Sequence, residues 1–424
     1  VKVTIGGPED PIGDAESRTV VIPHRGLPAI TTAFQKDADP AVSGSNILRG
    51  KHLMAGDISG SIALAFRPIA GIGKLINSLL GQEETPVQIG GAIKIRYTGS
   101  DASCKISANT STDELTSETG VFGAETADGN FGTTGDIDLT HGDTDTIGEL
   151  VTVIDAYDDY DCEKLFGADA VDAADIIDIT AEQGKSGWVV VYFTSADSGV
   201  YLHTWPAILT NTARPGYSIQ IDNREDDLLY AGCIVDKMTI SATLKALVEA
   251  EATILGMTET GSGVTASSLD LADVDPLRFH SGSFSIGEDD IDHIRSHSFD
   301  INNGHNPEGF GKGSLYRQYH EKGMFSVTGD VAVRLNSTSF AYRAYVAAGT
   351  LVALFFDYTG KAITDDIDEH IWIEAPYCSI DDFEWTENGD VIDARIPFEV
   401  TKKKGTPYSE PFRISMVSED SAAY

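Results

Sequence analysis

Cysteine is scarce and badly placed for chemistry. Cys104, Cys162, Cys233 and Cys378 are scattered, with no C-x-x-C and no Cys/His spacing. Neither a disulfide framework nor a zinc site is indicated, and four free thiols are expected. Cations are scarce too: 30 Lys and Arg stand against 66 Asp and Glu, a formal net charge of −36. Such a surface repels nucleic-acid phosphate and anionic membrane, which argues against a DNA-binding patch. The acid excess suits a salty habitat and plain colloidal solubility equally. No apolar run approaches ~20 residues, so no transmembrane helix is expected. The start, VKVTIGGPED, has no basic stretch followed by an apolar one, so no secretion signal is expected. There is no G-x-S-x-G and no H-E-x-x-H, so no catalytic residue, cofactor site or metal site is assigned. What is present is a 41% hydrophobic content, enough for a real core.

That content is patterned in twos. From Met238 to Ile254 the even positions are Met, Ile, Ala, Leu or Val, and the odd ones are polar apart from Leu247. The period predicts a strand, dry on one face and wet on the other, about 55 Å long if unbroken. Helical spacing is the rival pattern, and the length of the alternation favours strand. Shorter alternating runs occur at Gly56–Pro68 and Gly323–Ser337. Each leads into a predicted short helix closed by glycine, Ile69–Gly81 and Thr338–Gly349. ISGSIALAFRP and VTGDVAVRLNS share a glycine at the third position, which reads as an internal repeat of one strand–helix unit. Residues 1–50 read as an arm and loop, with a short strand at Thr19–Pro23.

The block 90–207 differs in texture. Strands are predicted at GAIKIRYTG and SGWVVVYFT, and a helix after Thr146 in TIGELVTVIDAYDDYDCEKLFG. Residues 101–200 hold 22 acidic and 3 basic side chains. The block reads as an inserted, solvent-facing α+β domain. The resulting division is 1–50, 51–89 with 208–256, the insert 90–207, a Gly/Ser/Thr/Asp-rich linker 257–278, and 279–424.

Few residues invite chemistry. His293 and His297 are four apart beside Asp289, Asp290 and Asp292, but their strand-like surroundings read as surface turn residues. Asp155, Asp158, Asp159 and Asp161 offer the oxygens calcium prefers, without EF-hand spacing or its glycine; a solvated acidic face is the reading. GFGKG, ending at Gly313, lacks phosphate-loop spacing and reads as a flexible loop. Lys402, Lys403 and Lys404 suit contact with an acidic neighbour. Dispersed carboxylates could serve a hydrolase, but nothing specific supports one.

Three stretches together carry a resemblance. YSIQIDNREDDLLYAGCIVDKMTISATLKALVEAEATILG, ISGSIALAFRPIAGIGKLINSLLG and VTGDVAVRLNSTSFAYRAYVAAGTLVALFFDYTG resemble the tail tube (major tail) proteins of long-tailed bacteriophages and related viruses. The resemblance spans about 15–85 and 215–415 and lies in element order rather than in a catalytic motif. It implies a mainly β fold of β-sandwich or barrel modules with short flanking helices. It implies a structural, non-enzymatic virion protein, made in the host cytoplasm, whose rings stack into a conduit that viral DNA crosses without specific binding. Block 90–207 departs from the minimal pattern and looks like an outer decoration domain. Partners are then other copies, in rings and stacks, and other tail proteins. Two modules per chain imply a trimer with pseudo-six-fold symmetry; one module implies a hexamer. The alternative is a carbohydrate- or surface-binding β-sandwich, motivated by the Ser/Thr/Asp-rich block.

Overall fold

The protein is described by a computed structural model covering residues 1–38, 51–185, 187–196, 198–207, 214–223, 227–261, 264–265, 267–306, 308–336, 340, 342–388, 391–402 and 411–424. The fold is mainly β, and the described strands pair antiparallel. Eight strands make one continuous run. In chain order they are β1 (Thr31–Ala38), β2 (Lys51–Ala65), β3 (Leu228–Thr243), β4 (Glu249–Gly256), β5 (Ile294–Asn302), β6 (Ser326–Arg334), β7 (Glu384–Asn388) and β8 (Val391–Val400). Hydrogen-bonded neighbours follow β1-β2-β4-β3-β5-β6-β8-β7. The order of the first four strands, 1-2-4-3, recurs in the second four as 5-6-8-7.

The repeat is therefore structural. Its glycines show why it is marked in sequence. A Cβ on Gly60 of β2 would collide with the Ala29 carbonyl oxygen, and one on Gly329 of β6 with the Ser298 carbonyl oxygen. Both positions let a neighbouring backbone approach closely, which only glycine permits.

The long alternating stretch is not one strand. It folds back as the hairpin β3–β4, with Lys245 in the left-handed region at φ 67°. The alternation survives the turn because Met238 faces Ala252 and Ile240 faces Ala250. Even residues pair with even residues, so both arms keep one parity toward the core. Residues 238–243 and 249–254 are extended, as the period requires, and not helical.

Each four-strand half is backed by a second layer. Behind the first, the start of β3 pairs with Tyr217–Asp222, which pairs with Lys2–Pro8 and that with Arg18–Val21. The predicted arm is thus partly woven into a sheet; residues 39–50 lie outside the described residues. Behind the second half, Asp368–Ile380 pairs with Val352–Ala362 and Arg413–Ser418. Between the layers lies one large core holding Ile62, Ile240, Ile254, Phe299, Val331 and Ile396.

Helix α1 (Ala70–Leu80) follows β2, with ten of its eleven residues buried, and ends at Gly81 with φ 118°. Its Lys74 is inside; the ammonium donates to the Gly6 carbonyl at 2.8 Å and the Thr19 hydroxyl at 2.7 Å. Helix α3 (Arg343–Ala348) follows β6, ends at the left-handed Gly349, and buries no residue. It is shorter than predicted, and its expected Thr338 start lies outside the described residues.

In block 90–207, α2 (Ile147–Asp155) begins at Thr146, whose hydroxyl oxygen accepts from the Glu149 amide. The helix ends at Asp155 rather than running on to Gly167. Beyond it Tyr160–Gly167 is a strand paired with Val87–Tyr97, because Tyr160 and Cys162 point inward at period two. A separate core of residues drawn from 93–193 includes Ile95, Ile106, Phe131, Leu150 and Val191. A third cluster, with Trp188, Tyr192, Phe355 and Trp372, packs the block against the second half.

Candidate functional site: the wet face of the eight-strand sheet

Alternation places every second side chain of β1–β8 on the face away from the core. On β2 these include Asp57, Ser59, Ser61 and Ala63. On β4 they are Glu249, Glu251 and Thr253, and on β3 Lys237, Thr239, Ser241 and Thr243. The register carries the row onward through Ser296, Ser298, Asp300 and Asn302 of β5. It continues through Thr328, Asp330, Ala332 and Arg334 of β6, then Asp393, Arg395, Pro397 and Glu399 of β8, and ends at Glu384 of β7. All are at least partly exposed. None is aromatic, and none is a large aliphatic.

Among the described side chains the charges on this face are Asp57, Glu249, Glu251, Asp300, Asp330, Glu384, Asp393 and Glu399 against Lys237, Arg334 and Arg395. Eight carboxylates against three cations leave the face acidic. The cations are engaged with neighbours. Lys237 reaches Asp300 at 3.1 Å, and Arg395 bridges Asp330 at 3.4 Å and Glu384 at 3.2 Å. Partial burial works to raise the Asp300 carboxyl, but the Thr239 hydroxyl and the Lys237 ammonium outweigh it and hold it below its ordinary value. Asp330 and Glu384 in turn hold the Arg395 guanidinium above its ordinary value. Tied-down cations on an acidic field leave little to grip a phosphate backbone. Short hydroxyl and methyl side chains leave nothing to stack on a base. Chemically the surface is a wall rather than a pocket.

The residues singled out in sequence do not converge. His293 is exposed, whereas His297 is in the core, 1% exposed, among Phe284, Phe299 and Phe356. Its Nε2 meets the Tyr358 hydroxyl, and burial pushes its pKa down to about 3. Reading it as a turn residue was wrong: in IRSHSFDIN it is in phase with the inward Phe299 and Ile301. Asp155 accepts from the Cys162 amide at 3.5 Å, Asp159 from Asn130 at 3.3 Å, and Asp161 pairs with Arg96 at 2.6 Å, so that acidic run is spread over separate contacts. Among the described residues no group of three or more His, Cys, Asp or Glu gathers as metal ligands. Phe310 bridges to Arg317, and the described part of that segment is irregular. Lys403 and Lys404 lie outside the described residues. All four cysteines are buried free thiols, with Cys104 pushed up to about 12 chiefly by burial. Among the described residues no helix is long and apolar enough to cross a membrane.

Sequence reasoning missed the wall itself. Each strand announced a wet face, but only the strand order reveals that eight wet faces are continuous.

Among curated proteins none matches the chain. Residues 4–400 match the family model described as phage tail tube protein. With nearly the whole chain matched, the protein belongs to that family, and it is a structural component of the virion tail.

Proposed function

We propose that this phage tail tube protein builds its tube from rings of three chains, each ring lined by the wet face of the eight-strand sheet, with viral DNA passing through the middle. The observation that carries this is the duplicated strand order 1-2-4-3 and 5-6-8-7. One chain supplies two equivalent sectors, so three chains supply six.

Size supports the count. Strands spaced about 4.8 Å apart and tilted about 40° occupy roughly 6 Å each around a cylinder. Eight strands close to a diameter of about 16 Å, which side chains fill. Three chains close to about 48 Å between backbones, and a lumen of about 35 Å remains after side chains. That is wider than a DNA duplex. The acidic wall and its engaged cations favour passage over binding. No catalysis is assigned to this surface.

The block 90–207, with its own core and its acid excess, serves as an outer domain on the tube. Rings stack head to tail into an open filament, as heterologous interfaces do.

Class averages of the purified, assembled protein in the electron microscope test the reading. Rings with three strong outer lobes around a central hole are expected. Monodisperse monomers at high concentration would sink it, and six identical lobes would replace the trimer with a hexamer.

A further inference from the structure

The eight-strand sheet has two unpartnered edges among the described residues, β1 and β7. Its internal repeat shows what such edges do when they meet. In the middle of the chain the two halves join through β3 and β5, where Thr239 lies opposite Asp300 and Ile240 opposite Phe299. Ile240 and Phe299 are both fully buried by that junction.

The repeat maps each edge onto one side of this junction. Gly60 against the Ala29 carbonyl corresponds to Gly329 against the Ser298 carbonyl. The shift is 329 − 60 = 298 − 29 = 269, so Ile30 and Thr31 correspond to Phe299 and Asp300, and Ala65 to Arg334. Glu249 lies opposite Ala65, and Asp393 opposite Arg334, so those two correspond in turn. Two residues on, Glu251 corresponds to Arg395. Thr239 lies opposite Glu251, and Glu384 opposite Arg395. Glu384 is therefore the counterpart of Thr239, and Trp385 the counterpart of Ile240.

The counterparts differ in one respect. Ile240 is covered, and Trp385 is 52% exposed. Phe340 packs edge-on to Trp385 with ring centres 6.0 Å apart, and is itself 45% exposed. Ile392, on the same face beside them, is 44% exposed. The edge thus carries an aromatic patch where the internal junction has a finished core. Strand direction also fits. Eight alternating strands leave β1 and β7 running in opposite senses, so the β7 edge of one copy meets the β1 edge of the next antiparallel.

We infer that neighbouring copies join by pairing β7 of one with β1 of the next in the register of the β3–β5 junction. Glu384 then faces Thr31 of the next copy, and Trp385 faces its Ile30. The inference rests on the ring reading, and it fixes which edges meet and in what alignment.

A pair of engineered thiols tests it. Thr31 and Glu384 are both exposed on the wet face. Antiparallel partners sit about 4.5–5.5 Å apart between Cα atoms, within disulfide reach. The four native thiols are buried and stay out of the reaction. Assembled T31C/E384C, treated with a mild oxidant, is expected to give a ladder of covalent multimers under denaturing conditions. T31C alone and E384C alone give none beyond background. A33C/E384C, offset by two residues on the same face, is expected to cross-link at least about ten-fold more slowly. Assembly of the unmodified protein should also shift tryptophan emission to the blue, because Trp385 is the exposed one of four. If rings form but the offset pair cross-links as fast, or neither pair does, the register is wrong while the tube stands. If rings form and the emission does not move, the aromatic edge is not in the interface. If the unmodified protein forms no rings, the tube reading fails and this one with it.

Discussion

The two halves of the sheet share one strand order but not one state of completion. In the first half, α1 is buried on nearly every side and Ile240 is covered by β5. In the second, α3 buries no residue and Trp385 lies half in water. The same blueprint is therefore closed at the β3–β5 junction between the halves and open at the outer edge formed by β7. Exposure in the second half is a property of position in the sheet, because Ile240, the counterpart of Trp385, is core.

The sharpest way to break that comparison is at the paired glycines. Gly60→Val and Gly329→Val each drive a side chain into a backbone carbonyl that has no room to move. Each is expected to cost upward of about 4 kcal/mol, at the extreme of single substitutions, and to yield little soluble protein. If one is tolerated and the other is not, the halves are not equivalent at the position that defines the repeat.

Acid should separate the halves next. His297 lies in the core of the second half, and its folded pKa of about 3 is below the ordinary 6.5. The unfolded chain takes up a proton below about pH 6.5 that the folded chain refuses. Stability from this group is therefore intact above pH 6.5 and lost as pH falls toward 3, on the order of 5 kcal/mol at the limit. The position corresponding to His297 in the first half is Pro28, which does not titrate. Denaturant melts between pH 7 and pH 4 should show a slope that His297→Gln flattens. An unchanged slope would mean that His297 is protonated without penalty.

The helices give the cleanest contrast, and α3 the smallest effect. Ile76→Ala in α1 removes a fully buried side chain and should cost about 2–5 kcal/mol. Val346→Ala in α3, partly exposed, should cost under about 1 kcal/mol in the isolated chain. Equal costs in the unassembled protein would show that α3 is already packed.

Much of this was legible beforehand, for physical reasons. Period-two alternation foretold Gly56–Pro68, Gly323–Ser337 and the two arms at 238–254, because a strand buried on one face must alternate. The glycine cap at Gly81 and the threonine cap at Thr146 foretold where α1 ends and α2 begins. The hairpin at 244–248 was invisible. TLKALV offers no Gly, Asn or Pro, and the parity carried across the turn erased the break that would have shown it. The end of α2 was hidden likewise, since Tyr160 and Cys162 suit a helical stripe as readily as a strand. The wall was hidden for a different reason. Ser61, Thr239 or Glu251 alone is an ordinary solvent residue, and only long-range pairing aligns them.

An even count of strands fixes more than the alignment of neighbours. If β7 of one copy pairs antiparallel with β1 of the next, a sheet that starts in one sense and finishes in the other is continued by copies turned about one axis and not inverted. Every subunit in such a cylinder then points the same way along it. A cylinder closed in that way would have a top and a bottom that are chemically unlike, so whatever capped one rim would have no seat on the other.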